Sequence, residues 1–218
     1  MERGAWGISP HASRLTPHAS DNTDQTIVKE LIQIVIVSHD RAANKLLGRW
    51  LARNEITDWR YSSRDYDVGE VRNQAVTRFL REDVPKGKRY LLLMDDDMVP
   101  VDSTDAILSA EGPLVFCGSA GPFGTRGHYG DGDFGENFCR MYAGLLQRMK
   151  YPYFKTHYEN GVRVHCDGHA FNAQAKGLGF DSQMIGLVGH QQTCILLPTE
   201  TDLGWAVAWP HDIGDPDD

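Results

Sequence analysis

Positive charge is scarce in this chain of 218 residues, in which 22 Lys and Arg face 30 Asp and Glu for a formal net charge of -8. A surface of that sign repels phosphate groups, so we expect no large nucleic-acid-binding surface and no basic membrane-surface patch. No apolar run approaches the roughly 18 residues of a membrane-spanning helix. The N-terminus also lacks the apolar core of a signal peptide, so the expected location is the cytoplasm.

Cysteine is sparse and scattered. Cys117, Cys139, Cys166 and Cys194 form no CxxC pair of the kind that binds zinc or cycles between thiol and disulfide. In a reducing compartment we expect them to be thiols, mostly buried. A GxxxxGK[ST] phosphate-binding loop is missing as well, which argues against a P-loop ATPase.

The hydrophobic pattern alternates between short apolar runs and amphipathic stretches. It predicts an α/β fold in which a mainly parallel central sheet is flanked by helices. Residues 1–26 and 199–218 are predicted as a flexible N-terminal tail and an acidic C-terminal tail, around one domain at 27–198. The predicted strands are 32–38, 57–63, 90–94, 114–117 and 183–188, and the predicted helices are 42–54, 70–82, 104–109, 138–149 and 171–178.

An acidic triplet, Asp95-Asp96-Asp97, directly follows the apolar strand predicted at 90–94. Ligands of open α/β sheets bind beyond the carboxyl ends of the strands. Three adjacent carboxylates repel one another, and a divalent cation with a preference for oxygen ligands, Mn²⁺ or Mg²⁺, relieves the repulsion. In an extended chain Asp95 and Asp97 face the same side and can share the metal, whereas Asp96 faces away. The alternative is a solvated acidic turn.

Several segments, in order, resemble a known family. IVIVSHD, VRNQAVTRFL and LLLMDDDMVP resemble the nucleotide-sugar half of A-type glycosyltransferases, especially the family-2-like group. The later segments CDGHAFNAQAKGLGF and IGLVGH resemble the acceptor half of that group. The resemblance covers Ile32 to about His190 and implies a single Rossmann-like domain of the GT-A type, with a nucleotide-sugar half at 27–118 and an acceptor half at 119–198.

The resemblance also implies roles for individual residues. Asp95 and Asp97 would hold Mn²⁺ or Mg²⁺ on the diphosphate of the donor, and His190 would be a third metal ligand. The implied donor is a nucleotide sugar, with a UDP-sugar as the first expectation. The residues expected to contact it are Ser38, Asp40, Arg72, Asn73, Asp95 and Asp96.

The expected catalytic base departs from the family pattern. The family usually carries Glu-Asp shortly before a Phe, but here Asp167-Gly168 precedes Phe171, so one carboxylate of the pair is missing. Asp167 is the nearest acid and His169 the fallback. A helix N-cap is an equally good explanation of Asp167. A further acidic group, Asp131, Asp133 and Glu136, lies in or just after a glycine-rich stretch and is expected near the acceptor.

Two alternatives to a glycosyltransferase stay open. A nucleotidyltransferase would carry a glycine-rich basic loop after the first strand, and the segment SHDRAANK has no glycine. A non-catalytic relative that binds sugar nucleotides or glycans is favoured by the incomplete acidic pair. Glycan, lipid, protein and modified nucleobase acceptors are all compatible with the sequence, as are inversion and retention.

Overall fold

The computed structural model describes residues 29–38, 44–63, 67–119, 134–160, 162–191, 195–198 and 205–208. It contains the α-helices α1 (Lys45–Arg53), α2 (Val68–Arg78), α3 (Ala143–Leu146) and α4 (Asp167–Gly177), a π-helical turn at Phe79–Asp83 and 3-10 segments at Val84–Lys86 and Asp102–Leu108. The strands are β1 (Ile32–Ser38), β2 (Trp59–Ser63), β3 (Tyr90–Asp95), β4 (Met98–Pro100), β5 (Leu114–Ser119), β6 (Phe138–Tyr142), β7 (His157–Glu159), β8 (Val162–His165), β9 (Gln183–Gln191), β10 (Ile195–Pro198) and β11 (Trp205–Ala208).

The protein has an α/β fold, but its central sheet is mixed rather than mainly parallel, which corrects the sequence prediction. The strand order is β11-β10-β9-β5-β6-β3-β1-β2, and β4 pairs with β9. β1 is parallel to β2 and β3, and β5 is parallel to β9, whereas β6 lies antiparallel between β3 and β5. Because β6 is antiparallel to both β3 and β5, those two strands run in the same direction. The carboxyl ends of β1, β3, β5 and β9 therefore lie at the same edge of the sheet. A strand covered on both faces is apolar throughout in either orientation, so its composition does not reveal its direction.

Three of the strands that end at this edge, β1, β3 and β5, are buried on both faces. Leu91 and Leu93 of β3 pack in one apolar core, whereas the intervening Leu92 and Met94 pack in the other. Successive side chains of a strand point to opposite faces, so the two cores cover the two sides of the sheet. The carboxyl end of β3 is therefore held rigidly from both sides.

The helix predicted at 138–149 is wrong over its first half. Residues Phe138 to Tyr142 form β6, and only Ala143 to Leu146 are helical. The first four residues of β6 are fully buried between β3 and β5, where they complete the backbone hydrogen bonds of both neighbours. The Arg140 guanidinium is buried over the ring of Tyr90, 4.7 Å from its centre. Tertiary pairing thus overrides the local helical pattern.

The other predicted elements are confirmed within a few residues. α1 begins after Asn44, whose side chain accepts a hydrogen bond from the Leu47 amide and donates one to the Met98 carbonyl. This cap ties α1 to the turn after β3. β11 lies inside 199–218, where a tail was predicted, and pairs with β10. The tail predicted at 1–26 lies outside the described residues, and no described helix has the length and apolarity to cross a bilayer.

Asn73 joins α2 to the segment that precedes β7. Its side-chain amide donates to the Phe154 carbonyl and its side-chain carbonyl accepts from the Phe154 amide, both at 2.8 Å. Asn73 is 2% exposed, so both of these side-chain hydrogen bonds are shielded from water. The residue predicted to bind a nucleotide sugar therefore lies in a buried structural contact.

We expect Asn73→Ala to lower the free energy of unfolding by about 2 to 3 kcal/mol, because two buried backbone groups lose their partners. Urea denaturation measures the change. The neighbouring Gln74 is exposed on the same helix, and Gln74→Ala should stay within about 0.5 kcal/mol of the wild type. A nucleotide affinity that falls in a stably folded Asn73→Ala variant would restore the predicted binding role.

Candidate functional site

The turn after β3 is fastened to two other strands at the common edge of the sheet. The Asp96 amide donates to the Val37 carbonyl of β1 at 3.0 Å, and the Gln191 amide of β9 donates to the Asp97 carbonyl at 2.7 Å. The three aspartates therefore sit where β1, β3 and β9 converge. This is the position at which open α/β sheets bind ligands.

Each aspartate of the triplet has a different side-chain partner, beginning with Asp95. Both carboxylate oxygens of Asp95 accept hydrogen bonds from Nη2 of Arg72, at 2.9 and 2.8 Å. The Asp95 side chain remains 20% exposed. The pKa of Asp95 is raised to about 6, chiefly by burial; Arg72 opposes the rise and the nearby Asp97 adds to it.

The other two aspartates face different strands. Asp96 is buried and accepts a hydrogen bond from the Ser38 hydroxyl at the end of β1, at 2.9 Å. Asp97 is partly exposed and lies 3.0 Å from Nε2 of His190 in β9. The hydrogen bond to Asp97 raises the pKa of His190, while burial works in the opposite direction. Asp97 and His190 are thus paired at the solvent side of the site.

Arg72 occupies the centre of the site and is 2% exposed. Its Nη1 donates to Asp167 at 2.6 Å, while Nη2 donates to Asp95 and to the Asn137 side chain. Burial alone lowers the pKa of Arg72, but the surrounding Asp95, Asp167 and Glu136 raise it well above its ordinary value. Arg72 is therefore a permanent buried cation that binds protein carboxylates, rather than an open contact for a diphosphate.

Asp167 lies at the start of α4 but does not cap it. The N-cap is Cys166, which makes no side-chain capping bond, and Asp167 is the first helical residue. Asp167 is 2% exposed, and its carboxylate forms an ion pair with Arg72. The N-cap explanation is therefore wrong. His169, the fallback base, is exposed two residues further along the helix.

Glu136, which the sequence analysis placed in an acidic group near the acceptor but not among the site residues, belongs to this site. It is 3% exposed, and its Oε2 has no hydrogen-bond partner. Burial raises its pKa to about 7, opposed by Arg72 and reinforced by Asp167. In the sequence it simply closes an acidic, glycine-rich stretch. Its burial follows from its position two residues before β6, whose first residue pairs with Met94 of β3.

The structure brings most predicted site residues together, though not as a ready metal triad. Among the described residues, the trio whose ligand atoms all lie within 4.8 Å of one another is Glu136, Cys166 and Asp167, not the predicted metal ligands. The Asn73 side chain contacts the Phe154 backbone instead of the aspartate triplet, His169 is exposed on α4, and Asp40 lies outside the described residues. The predicted residues that share the network are Ser38, Arg72, Asp95, Asp96, Asp97, Asp167 and His190.

No protein-family model matches the chain, and no curated protein matches it in sequence. A solved structure described as "Crystal Structure of A197 from STIV" superposes with a TM-score of 0.59 at 17% identity, over 81% of this chain and 93% of that one. The inositol-1-phosphate CTP transferase from T. maritima gives a TM-score of 0.38 at 10% identity, over 88% of this chain and 78% of that one. The first likeness shows a shared fold, and the second is too low to support an argument. The likeness to glycosyltransferases therefore rests on the sequence motifs.

We expect Glu136→Gln to stabilise the protein at pH 8 relative to the wild type, and to do so much less at pH 5. The pKa of Glu136 rises from 4.5 to about 7 on folding. A raised carboxyl pKa supports folding at low pH, and that support is lost as the pH rises through about 4.5 to 7. A glutamine does not titrate, so the difference in the free energy of unfolding should reach about 1 to 3 kcal/mol at pH 8.

Urea denaturation at both pH values measures this difference. Glu111 is exposed, so Glu111→Gln is the matched control and should show nearly equal stability changes at pH 5 and pH 8. An equal change for Glu136→Gln at both pH values would show that the Glu136 carboxyl is solvated.

Proposed function

We propose that this protein is a metal-dependent glycosyltransferase, which moves a sugar from a nucleotide sugar, with a UDP-sugar as the first expectation, to an acceptor hydroxyl. The observation that carries the proposal is the position of Asp95 and Asp97 at the carboxyl end of β3, with His190 of β9 3.0 Å from Asp97. These residues belong to the motifs that resemble the GT-A glycosyltransferases. The α/β fold, with its strands ending at one edge, is compatible with that function.

The residue types at this edge are ones that bind divalent cations. The candidate ligands are the carboxylates of Asp95 and Asp97 and the imidazole of His190. Carboxylate oxygens are ligands that Mn²⁺ and Mg²⁺ prefer. The raised pKa of Asp95 reflects burial together with the neighbouring negative charge of Asp97. A bound cation would relieve that repulsion and, as a Lewis acid, would neutralise the charge of a departing diphosphate.

The chain's own residues would hold this arrangement in place. Arg72 contacts both oxygens of Asp95 and fixes the orientation of that carboxylate. Ser38 donates to Asp96 and fastens the same turn to β1. Because these supports are buried, the partly exposed side chains of Asp97 and His190 are the ones left to meet a ligand from solvent.

We expect Mn²⁺ to increase the thermal stabilisation of the protein by UDP, and Asp97→Asn or His190→Ala to remove that increase. Each change deletes one metal ligand without touching the buried Arg72 network. The Asp102 side chain is fully exposed, so Asp102→Asn is the control and should keep the response. Asp96→Asn should also keep it, because the Asp96 side chain faces Ser38 rather than Asp97. Thermal unfolding with and without Mn²⁺ and UDP gives the measurement.

Different outcomes would point to other functions. Stabilisation by nucleoside triphosphates but by no nucleotide sugar would favour a nucleotidyltransferase. Binding of a UDP-sugar without any release of UDP would favour a non-catalytic binding protein. A metal response that is unchanged in both Asp97→Asn and His190→Ala would place the metal elsewhere.

A further inference from the structure

Gly168 leaves room for a carboxyl group that comes from another part of the chain. A Cβ atom built on Gly168 would lie 2.5 Å from the carboxyl carbon of Glu136, closer than real Cβ contacts come, and would overlap the carboxylate oxygen still more. The Glu136 carboxyl therefore fills the space that a side chain at position 168 would need. This is the position at which the resemblance leaves one carboxylate of an acidic pair missing.

The two carboxyl groups beside this position have different partners. Asp167 accepts a hydrogen bond of 2.6 Å from the buried Arg72, so its carboxylate is already engaged by a cation. Glu136 lies within 4.8 Å of Asp167, measured between ligand atoms, and its Oε2 has no partner. The Cys166 thiol is hydrogen-bonded to the Glu136 side chain, but the unpartnered Oε2 can accept a proton from a hydroxyl group, as a general base must.

We propose that Glu136 is the second carboxyl of the acceptor site and accepts the proton of the acceptor hydroxyl, whereas Asp167 is a positioning residue held by Arg72. This inference rests on the proposed glycosyltransferase function. The hydroxyl O–H bond breaks and its proton passes to Glu136, directly or through one water molecule. The hydroxyl oxygen bonds to the anomeric carbon of the sugar. The bond from that carbon to the diphosphate breaks, and the diphosphate leaves with the electron pair.

A metal ion is the competing occupant of this cluster, because Cys166 also lies within 4.8 Å of both carboxyl groups. One observation disfavours it: Arg72 already places a positive charge on Asp167 and attracts Glu136.

The test moves the carboxylate from position 136, just before β6, to position 168 in α4. Release of UDP from a panel of UDP-sugars with Mn²⁺ is measured for the wild type and for variants. Glu136→Gln should lower the rate by about 10² to 10⁴ and leave the thermal shift by UDP and Mn²⁺ unchanged. The double variant Glu136→Ala with Gly168→Asp should recover at least about tenfold over Glu136→Ala. The matched double variant with Gly168→Ala should recover nothing.

A second measurement tests the geometry independently of turnover. Gly168→Ala should lower the melting temperature in the wild type, because its Cβ meets the Glu136 carboxyl, but should have little effect in the Glu136→Ala background. Equal effects in both backgrounds would show that the Glu136 carboxyl does not occupy this space, and would overturn the inference.

The remaining outcomes distinguish a failure of the role assigned to Glu136 from a failure of the proposed glycosyltransferase function. A wild type that releases UDP while Glu136→Gln keeps its full rate overturns the role of Glu136 alone. A wild type that neither binds UDP with Mn²⁺ nor turns over any UDP-sugar overturns the proposed function, and the inference fails with it. Stoichiometric zinc in the purified protein that is lost in Cys166→Ser would make the cluster a metal site and overturn the inference directly.

Discussion

The site depends on one buried guanidinium. Arg72 comes from α2, and its two terminal nitrogens contact Asp95 at the end of β3 and Asp167 at the start of α4. A buried arginine without such partners would carry a large desolvation penalty, and buried carboxylates would do the same. Removal of Arg72 would therefore leave uncompensated carboxylates in the interior. This mutual dependence holds the two halves of the chain in register at the site.

The charges around Arg72 are unequal in number, and the imbalance gives the site its chemical character. Asp95, Asp167 and Glu136 all interact with the one guanidinium. The surplus negative charge raises the pKa of Asp95 and Glu136, in each case after the larger effect of burial. Asp97 and His190 lie on the partly exposed side of this surplus charge. Glu136 lies on its buried side, and its pKa is raised to about 7.

The antiparallel strand β6 is the structural feature that brings Glu136 to this site. Its first residue, Phe138, pairs with Met94 near the carboxyl end of β3, so the residues just before β6 arrive at the edge where the aspartates lie. The Asn137 side chain accepts from Arg72, and the Asn137 carbonyl accepts from the Asp95 amide. The same strand pairing places Glu136 beside Gly168. A purely parallel sheet would have brought a different end of this segment to the site.

The sequence by itself determined the buried strands, the helices that follow them and the acidic triplet at a strand end, because apolar runs and their punctuation are local signals. It also placed Arg72, Asp95 and Asp167 among the candidate residues by type and order. Only the tertiary structure decided what those side chains contact: Arg72 is enclosed by carboxylates, Asn73 holds the Phe154 backbone, and β6 is a strand. The pairing of β6 with β3 likewise placed Glu136 in the site. Partners of this kind lie far apart in the chain, and the pairing of strands and the burial of charges that bring them together are properties of the packed molecule, which no local pattern of residues encodes.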